Sequence, residues 1–476
     1  MQNNTGFLST FKKYKNFIFI FFGIAVFLVS KNYGMFWDNV LFASKMGTHL
    51  YENSLFNWNI PNSFDPGHPP FLGFLLAVFW KIFGYNLWVS HLLMLPFIIG
   101  FLYQLYEFVS YFVKKELFKI LAFLLLIANP TVAASFVLVN PEIIILFFFF
   151  LAINGLLKQK NTLKFIGLFF LSIVSYRAMM LFAGIFLFDV LNNLYINRKK
   201  IKTILNLNFL LFYFLASIPA FLFVSWRLAT KGWLQTHPDS PWVGLWQFAS
   251  LKVFFKNCVV LVWQYLDFGR IFIFLFIIIS FFFFGKKIVK PLKNKELLLL
   301  SICSVLSIVV VSLLATNSFG QRYFLVSYVG FILLSFLILI ENYKSKKIIY
   351  AILFFGLISG NLWVYPKKIP QGWDATLAHI PYHSLRLKAI KYLDSENIKI
   401  ENVATFFPNI NTIHNIDLSK DQRKFASFND TKKYAFYSNV YNLSDENLNK
   451  LEKEYTVLKQ FNNFNINITI YTLKEK

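Results

Sequence analysis

The chain has 476 residues, of which 57% are hydrophobic and only 15% charged, a composition that excludes an ordinary soluble enzyme. Its formal net charge is +24, but most lysines and arginines stand in short clusters between apolar runs. That placement is typical of topology determination in a membrane protein and argues against nucleic-acid binding. We therefore predict a mainly α-helical, polytopic membrane protein.

The apolar runs predict about eleven transmembrane helices, since a helix needs about 20 mostly apolar residues to cross a bilayer. In chain order, the predicted spans are residues 16–31, 88–112, 117–136, 142–157, 163–176, 178–195, 207–226, 268–284, 297–315, 323–341 and 347–365.

Positive charge falls in every second connection between the predicted spans. Lys114 and Lys115 separate the second and third spans, for example, and Lys158 and Lys160 separate the fourth and fifth. Cytoplasmic loops carry the excess of lysine and arginine, so the N-terminus is predicted to be cytoplasmic. Because the number of spans is odd, the segment after the last span is predicted to be extracytoplasmic. The expected location is a bacterial inner membrane.

Two long loops are predicted on the outer side, residues 32–87 and 227–267. The first contains "SFDPGHPPF", a polar corner followed at once by an apolar stretch. Prolines at a helix start fix the backbone and remove N–H groups that would have no partner there. The stretch Pro70–Phe83 is too short to span a bilayer, so we predict that it is an interfacial helix.

The tail, residues 366–476, changes abruptly to polar and charged composition. "SLRLKAIKYLDSEN" has apolar residues at helical spacing, and "YAFYSNVY" and "INITIYTL" are strand-like. Ser444 precedes two acids and is a predicted helix N-cap. We predict a small α/β domain here, after a transmembrane domain at residues 1–365.

Two acids stand at the predicted outer boundary of the membrane. Asp38 follows the first span in "FWDN", and Glu142 begins the fourth span in "VNPE". An ionisable group beside the bilayer core is costly and tends to face a cavity or a partner. Burial would also raise the pKa of a carboxyl toward that of a general base. The alternative interpretation is a solvated interfacial carboxylate.

Several cations on the same side oppose the positive-inside trend. They are Arg177, Arg227, Arg270 and Arg322, and Lys45 in the first loop is a further candidate. Such side chains either extend to lipid headgroups or form a cluster that binds phosphate. Together with two acids, they predict a site for a phosphorylated, membrane-bound substrate. No nucleotide-binding motif occurs, and the histidines have no metal-ligand spacing, so no metal site is predicted.

The order of these motifs resembles the GT-C superfamily of membrane glycosyltransferases, of the protein O-mannosyltransferase and lipid A aminoarabinose transferase type. The resemblance rests on five motifs spread over residues 15–340: Asp38-Asn39, His68-Pro69-Pro70, Phe83-Gly84, Glu142 and Arg322-Tyr323. The family usually has Asp-Glu where this chain has Asp38-Asn39, so the second acid of that motif is missing.

The resemblance implies that a sugar is transferred from a polyprenyl-phosphate donor to a glycan, lipid or protein acceptor, usually with inversion. It implies that Asp38 is the general base, with Glu142 as a second catalytic acid. The resemblance also implies that Arg322 binds the lipid phosphate. Arg177, Arg227, Arg270 and Lys45 are less well supported candidates for the same role. No cofactor is expected, although a divalent cation becomes plausible with a diphosphate donor.

Four further residues, Asn39, Asp65, His68 and Tyr323, are predicted to shape the site. Other function classes remain open from the sequence: a lipid or glycan transporter or flippase, a polysaccharide polymerase or ligase with a polyprenyl-diphosphate donor, and a scaffold. Transporters favour inverted repeats and midplane charges, and neither pattern is visible.

Overall fold

The computed structural model describes residues 4–235, 237–241, 243–244, 246–316, 319–428 and 432–475. The helices of this part are α1 (Asn4–Ser30), α2 (Met46–Glu52), α3 (Phe71–Phe83), α4 (Leu87–Phe112), α5 (Glu116–Ile127), α6 (Pro130–Val137), α7 (Pro141–Leu157), α8 (Asn161–Val174), α9 (Tyr176–Leu191), α10 (Ile201–Ile204), α11 (Leu207–Lys231), α12 (Leu251–Leu266), α13 (Ile271–Phe284), α14 (Leu292–Ser312), α15 (Leu325–Asn342), α16 (Lys346–Ser359), α17 (Ile380–Ser395), α18 (Ile413–Asp417) and α19 (Asp445–Glu454).

Each predicted span coincides with one helix or with one bent pair. Seven helices in the described residues are long and apolar enough to cross a membrane, or eight if the bent pair α5 and α6 is one span. The other three predicted spans form the shorter helices α7, α8 and α16. The predicted fold class, a polytopic helical membrane protein with a small α/β tail, is confirmed.

The third predicted span, residues 117–136, is not one straight helix as expected. Its halves α5 and α6 meet at 72°. Asn129 caps α6 by accepting a hydrogen bond from the backbone N–H of Thr131 at 3.1 Å, and Pro130 follows at the first helical position. A residue before proline disfavours the helical conformation, so the Asn-Pro pair ends α5 and restarts the chain in a new direction.

The predicted interfacial helix exists as α3, which begins directly after Pro70. It packs against α2 within the first loop, where Gly47 and Gly73 allow the two backbones to approach. A Cβ on Gly73 would lie 2.9 Å from the backbone nitrogen of Gly47, so neither helix has room for a side chain at this contact. Its orientation along the membrane stays a prediction.

The tail forms a mixed five-stranded sheet in the order β2-β1-β3-β5-β4. Its strands are β1 (Val403–Thr405), β2 (Ala426–Ser427), β3 (Tyr434–Ser438), β4 (Tyr455–Asn463) and β5 (Ile466–Leu473). β1 is parallel to β2 and β3, while β5 is antiparallel to β3 and β4. The predicted tail helix, the two predicted strands and the Ser444 cap, which accepts from the N–H of Asn447 at 3.2 Å, are all present.

The core of the tail extends into the transmembrane part. Phe36 from the first loop and Val137 and Leu138 from the end of α6 belong to the same buried cluster as Trp373 and Tyr382 of the tail. The backbone N–H of Met35 also donates to the carbonyl of Ile416 at 2.8 Å. These contacts hold the start of the tail beside the chain that follows α1.

Candidate active site

Five charged side chains from distant parts of the chain meet at one end of the helix bundle. We call them the acid–arginine cluster, and its members are Asp38, Glu142, Arg177, Arg322 and Asp374. The first four are residues that the sequence analysis singled out. The fifth, Asp374, belongs to the tail and was not predicted.

Arg322 is the centre of the cluster. Its Nη2 atom lies 2.9 Å from Oδ2 of Asp38 and 2.9 Å from Oδ2 of Asp374. Its Nη1 atom lies 3.3 Å from Oε1 of Glu142, which Arg177 Nη1 also contacts at 2.9 Å. The planar guanidinium, with several N–H groups in a fixed fork, can satisfy three acids at once in this way.

Local sequence places these side chains at helix starts. Asn140 caps α7 and Pro141 occupies its first position, so Glu142 lies in the first turn, where a negative charge is favourable. Ser175 caps α9 and accepts from the N–H of Ala178 at 3.2 Å, which places Arg177 in the first turn of that helix.

Arg322 lies in the 3₁₀ turn Gln321–Phe324 that leads into α15. The neighbouring Tyr323 packs under the other arginine: the guanidinium carbon of Arg177 lies 4.3 Å from the centre of its ring. A cation over an aromatic face is attracted by the ring quadrupole. The predicted site-shaping residue Tyr323 therefore helps to hold Arg177 against Glu142.

The cluster carries three acids and two arginines, so its formal charge is −1 when all five are ionised. The Asp38 side chain is 22% exposed, whereas those of Glu142 and Asp374 are 1% and 11% exposed. Asp38 is therefore the acid that a substrate reaches most easily. Burial raises the pKa of Asp38 above its ordinary value, although Arg322 and Arg177 oppose that shift.

Asp374 shares a guanidinium nitrogen with Asp38, so the two carboxylates lie close together. Burial raises the pKa of Asp374 to about 6, Arg322 opposes the shift, and the negative charges of Asp38 and Glu142 add to it. Two such carboxylates tend to divide their roles, one holding a proton while the other is ionised. Here Asp374 is the acid that holds a proton below about pH 6.

Several polar atoms at the cluster have no hydrogen-bond partner among the described residues. They are Oε2 of Glu142 and, in the residue that follows Asp38 in the chain, both amide atoms of Asn39, which is 1% exposed. A cavity of about 10 Å³ borders Glu142, Arg177, Arg322 and Tyr323. This cavity has space for about one water.

The second group of charges surrounds Asp65 in the "FDPGH" corner. Arg227 Nη1 lies 3.1 Å from Oδ2 of Asp65, and the N–H of Gly67 donates to Oδ1 at 2.8 Å. Arg227 also donates through Nε to the carbonyl of Leu234 at 2.8 Å, and its guanidinium lies 4.1 Å from the Trp233 ring. The structure thus pairs Arg227 with Asp65, and neither forms an ion pair with a member of the acid–arginine cluster in the described residues. We call this group the Asp65 corner.

His68 connects the Asp65 corner to α9. Its Nδ1 accepts a hydrogen bond from the backbone N–H of Tyr176 at 3.3 Å, and its ring packs between Phe42 and Tyr176. Burial and then the charges of Arg177 and Arg227 lower the pKa of His68 to about 3. His68 is therefore neutral and positions the residue next to Arg177.

The two remaining predicted cations lie apart from the cluster. Arg270 is fully buried and donates to the carbonyl of Gln264 and, at 3.0 Å, to Oγ1 of Thr131. Lys45 forms no ion pair within the described residues; burial lowers its pKa, and the nearby Lys424 of the tail lowers it further. No group of three histidine, cysteine or acidic side chains that could hold a metal occurs in the described ranges.

Asp374 had a signal in the sequence that the predictions did not use. "FWDN" follows the first span and "GWDA" follows the last, so each outer segment begins with a Trp-Asp pair close to the membrane. Trp37 and Trp373 both lie in or beside the tail core, which draws Asp38 and Asp374 to the same place. Because Asp374 lies in the predicted tail domain, it was not among the predicted site residues.

Solved structures share this architecture. A crystal structure of ArnT from Cupriavidus metallidurans bound to undecaprenyl phosphate aligns over 95% of this chain and 97% of its own, with a TM-score of 0.51 and 11% identity. The apo structure of the same protein gives the same coverage, a TM-score of 0.50 and 12% identity. The chain shares the overall fold of these two ArnT structures. No family model and no curated protein sequence matches it.

Proposed function

We propose that this protein is a glycosyltransferase that moves a sugar from a polyprenyl-phosphate donor to an acceptor at the extracytoplasmic face of the membrane. One observation carries the proposal: in a fold shared with ArnT, a partly exposed Asp38 is held by Arg322 beside Glu142 and Arg177. A base next to fixed cations suits attack on a sugar whose leaving group is a phosphate.

Asp38 is the proposed general base. The acceptor hydroxyl oxygen forms a bond to the anomeric carbon, the bond from that carbon to the phosphate oxygen breaks, and the hydroxyl proton passes to the Asp38 carboxylate. Such proton transfer contributes about 10²–10⁴-fold to the rate. Inversion follows if the acceptor attacks opposite the leaving phosphate.

Arg322 and Arg177 are the proposed ligands of the donor phosphate. Both are held at helix starts by acids, and both have several N–H groups for an incoming anion. Arg227 already pairs with Asp65, and Arg270 already donates to backbone and hydroxyl oxygens, so we assign both a structural role. A divalent cation would join the site only with a diphosphate donor.

The donor class is supported by the ArnT structure, which contains undecaprenyl phosphate. The acceptor is a glycan, a lipid or a protein. Lysines and arginines lie in every second connection between the spans, which supports a cytoplasmic N-terminus and an extracytoplasmic site. We propose that the membrane is a bacterial inner membrane. Mass spectrometry of lipids and glycans from cells with and without this chain would identify both substrates.

The central test is Asp38→Asn, which keeps the shape of the side chain and removes the base. Membranes containing each variant are given a radiolabelled undecaprenyl-phosphate sugar and a cell-envelope acceptor fraction. We expect transfer to fall by about 10²-fold or more, with unchanged expression and thermal stability. Asp239→Asn is the matched control, because the Asp239 side chain is 73% exposed and its contact is with His237.

Unchanged transfer by Asp38→Asn would remove Asp38 as the base. A transporter or flippase would instead move the labelled lipid across the membrane in both variants without forming a new glycosidic bond. The same assay therefore separates the two classes of function.

A further inference from the structure

An apolar groove lies at the end of the bundle opposite the acid–arginine cluster. It has a volume of about 640 Å³ and runs between the start of α5, the end of α15 and the start of α16. Its walls include Phe118, Leu121, Phe336, Leu339 and Tyr350. We call it the lysine-rimmed groove, because Lys344, Lys346 and Lys347 stand at its edge.

The groove is far from the proposed active site. α15 has 18 residues, and at a rise of 1.5 Å per residue it separates Arg322 from Lys344 by about 27 Å. That distance is close to the thickness of the hydrocarbon core of a bilayer. A lipid held here therefore belongs to the leaflet opposite the one that the proposed site faces.

No lysine at the rim forms an ion pair with an acid in the described part of the chain. Lys344 and Lys347 are exposed. Lys346 donates to the carbonyl of Ile340, and its Nζ and that of Lys115 lie 6.0 and 5.9 Å from the centre of the Phe118 ring.

Two acids close in the chain to the groove, Glu116 and Glu341, have other partners. Glu116 pairs with Lys119 at 2.9 Å and accepts from Tyr106, and Glu341 accepts from the amide of Asn294 at 2.8 Å. Neither acid forms an ion pair with a rim lysine in the described part of the chain. A bound anion would therefore meet at least two free ammonium groups directly above an apolar wall.

We propose that the lysine-rimmed groove binds an anionic phospholipid. The phosphate lies between Lys344 and Lys347, and one acyl chain runs along the apolar walls. Basic pockets between transmembrane helices are suited to such headgroups, and each buried methylene of the chain adds to binding. Topology accounts for the lysines alone, but it does not account for an apolar groove that begins directly beneath them.

The test measures lipid retention by native mass spectrometry on the purified full-length protein. Phosphatidylglycerol or phosphatidylcholine is added to separate samples in detergent at equal concentration. The variant Lys344→Gln/Lys347→Gln leaves Lys346 and its contact with Ile340 intact. The control Lys286→Gln/Lys287→Gln removes equal charge from two exposed lysines that do not line the groove.

We expect the unaltered protein and the control to retain phosphatidylglycerol, and the groove variant to retain roughly tenfold less. Phosphatidylcholine is retained weakly by all three, because its net charge is zero. Equal retention of phosphatidylglycerol by the variant and the control overturns the proposal. Equal retention of both lipids by the unaltered protein overturns it as well.

A second variant fills the groove and leaves every lysine in place. Leu117 is 40% exposed at the edge of the groove, so Leu117→Trp adds volume without disturbing the core. Reduced phosphatidylglycerol retention by Leu117→Trp supports a chain in the groove, and normal retention contradicts it. The proposal does not depend on the glycosyltransferase function.

Discussion

The acid–arginine cluster and the Asp65 corner are both buried groups of acids and arginines, but they differ in what their acids contact. Asp65 is completely buried, and both its carboxylate oxygens are bonded, one to Arg227 and one to the N–H of Gly67. Asp38 is 22% exposed, and Oε2 of Glu142 has no partner among the described residues.

The cations do not differ in this way, because Nη2 of Arg227 also has no hydrogen-bond partner among the described residues. Around Asp65, Arg227 and Lys231 also bind the carbonyls of Leu234 and Ile60, so two stretches of loop backbone complete the group. In the cluster, the polar and ring contacts of Arg177 and Arg322 within the described residues are with acids and the Tyr323 ring. The difference therefore lies in the acids. We call the Asp65 corner closed, because both oxygens of its acid are bonded and stabilise the fold, and the cluster open, because it leaves acid oxygens for a substrate. Residue type does not separate the two, since each contains arginine and aspartate.

The largest expected effect tests the closed network. Asp65→Asn leaves the Arg227 guanidinium buried beside a neutral amide, which costs about 3 to 5 kcal/mol of unfolding free energy. Thermal unfolding in detergent measures the loss. Activity should decline only in proportion to the folded protein, and a stable Asp65→Asn protein without activity would instead place Asp65 in the site.

A smaller effect is expected at the open network. Arg322→Lys keeps the charge but replaces a planar fork with one ammonium, so it cannot satisfy three acids or bind phosphate in the same way. We expect kcat/KM to fall by roughly 10²–10³-fold, about 3 to 4 kcal/mol. Lys420→Gln, a change on the exposed tail surface, serves as the control. Full activity of Arg322→Lys would show that only the charge matters.

Gly67→Ala tests whether the backbone of the Asp65 corner tolerates a side chain at Gly67. Gly67 has φ +83°, and an added Cβ would lie 2.8 Å from the carbonyl oxygen of Gln235. The strained conformation and the contact with backbone should cost about 2 kcal/mol, seen as a lower unfolding temperature. Gly232 also has positive φ, +71°, but no atom lies within 4 Å, so Gly232→Ala should cost less. Equal losses would mean that conformation alone sets the cost.

The smallest effect concerns pH. Because burial raises the pKa of Asp374 to about 6, this acid is neutral below that pH and releases Arg322 for the donor phosphate. Above pH 6 it ionises and competes for Arg322, so the donor KM should rise roughly tenfold between pH 5.5 and 7.5. Asp374→Asn should make the KM nearly independent of pH, whereas Glu401→Gln, an exposed tail acid, should not. A persistent pH dependence in Asp374→Asn would assign it to another group.

Much of the fold was predictable because its signals are local. Runs of apolar residues, the Pro69-Pro70 corner and the Ser444 cap each act within a few residues, and each formed the expected element. The bend at Asn129-Pro130 was also readable from the sequence, since the pair interrupts an otherwise continuous apolar run. β4 was not predicted, because most of its side chains are exposed and its alternation is weak.

The sequence by itself determined that this is a polytopic membrane protein, that its helices fall where the hydropathy runs fall, and that Asp38, Glu142 and Arg322 are candidates for one site. Only the tertiary structure decided which charge meets which. In the folded chain Asp374 forms an ion pair with Arg322, and Arg227 forms one with Asp65. Hydropathy and capping depend on neighbours in the chain, whereas the partner of a buried charge is chosen by the packing of helices and loops that lie hundreds of residues apart.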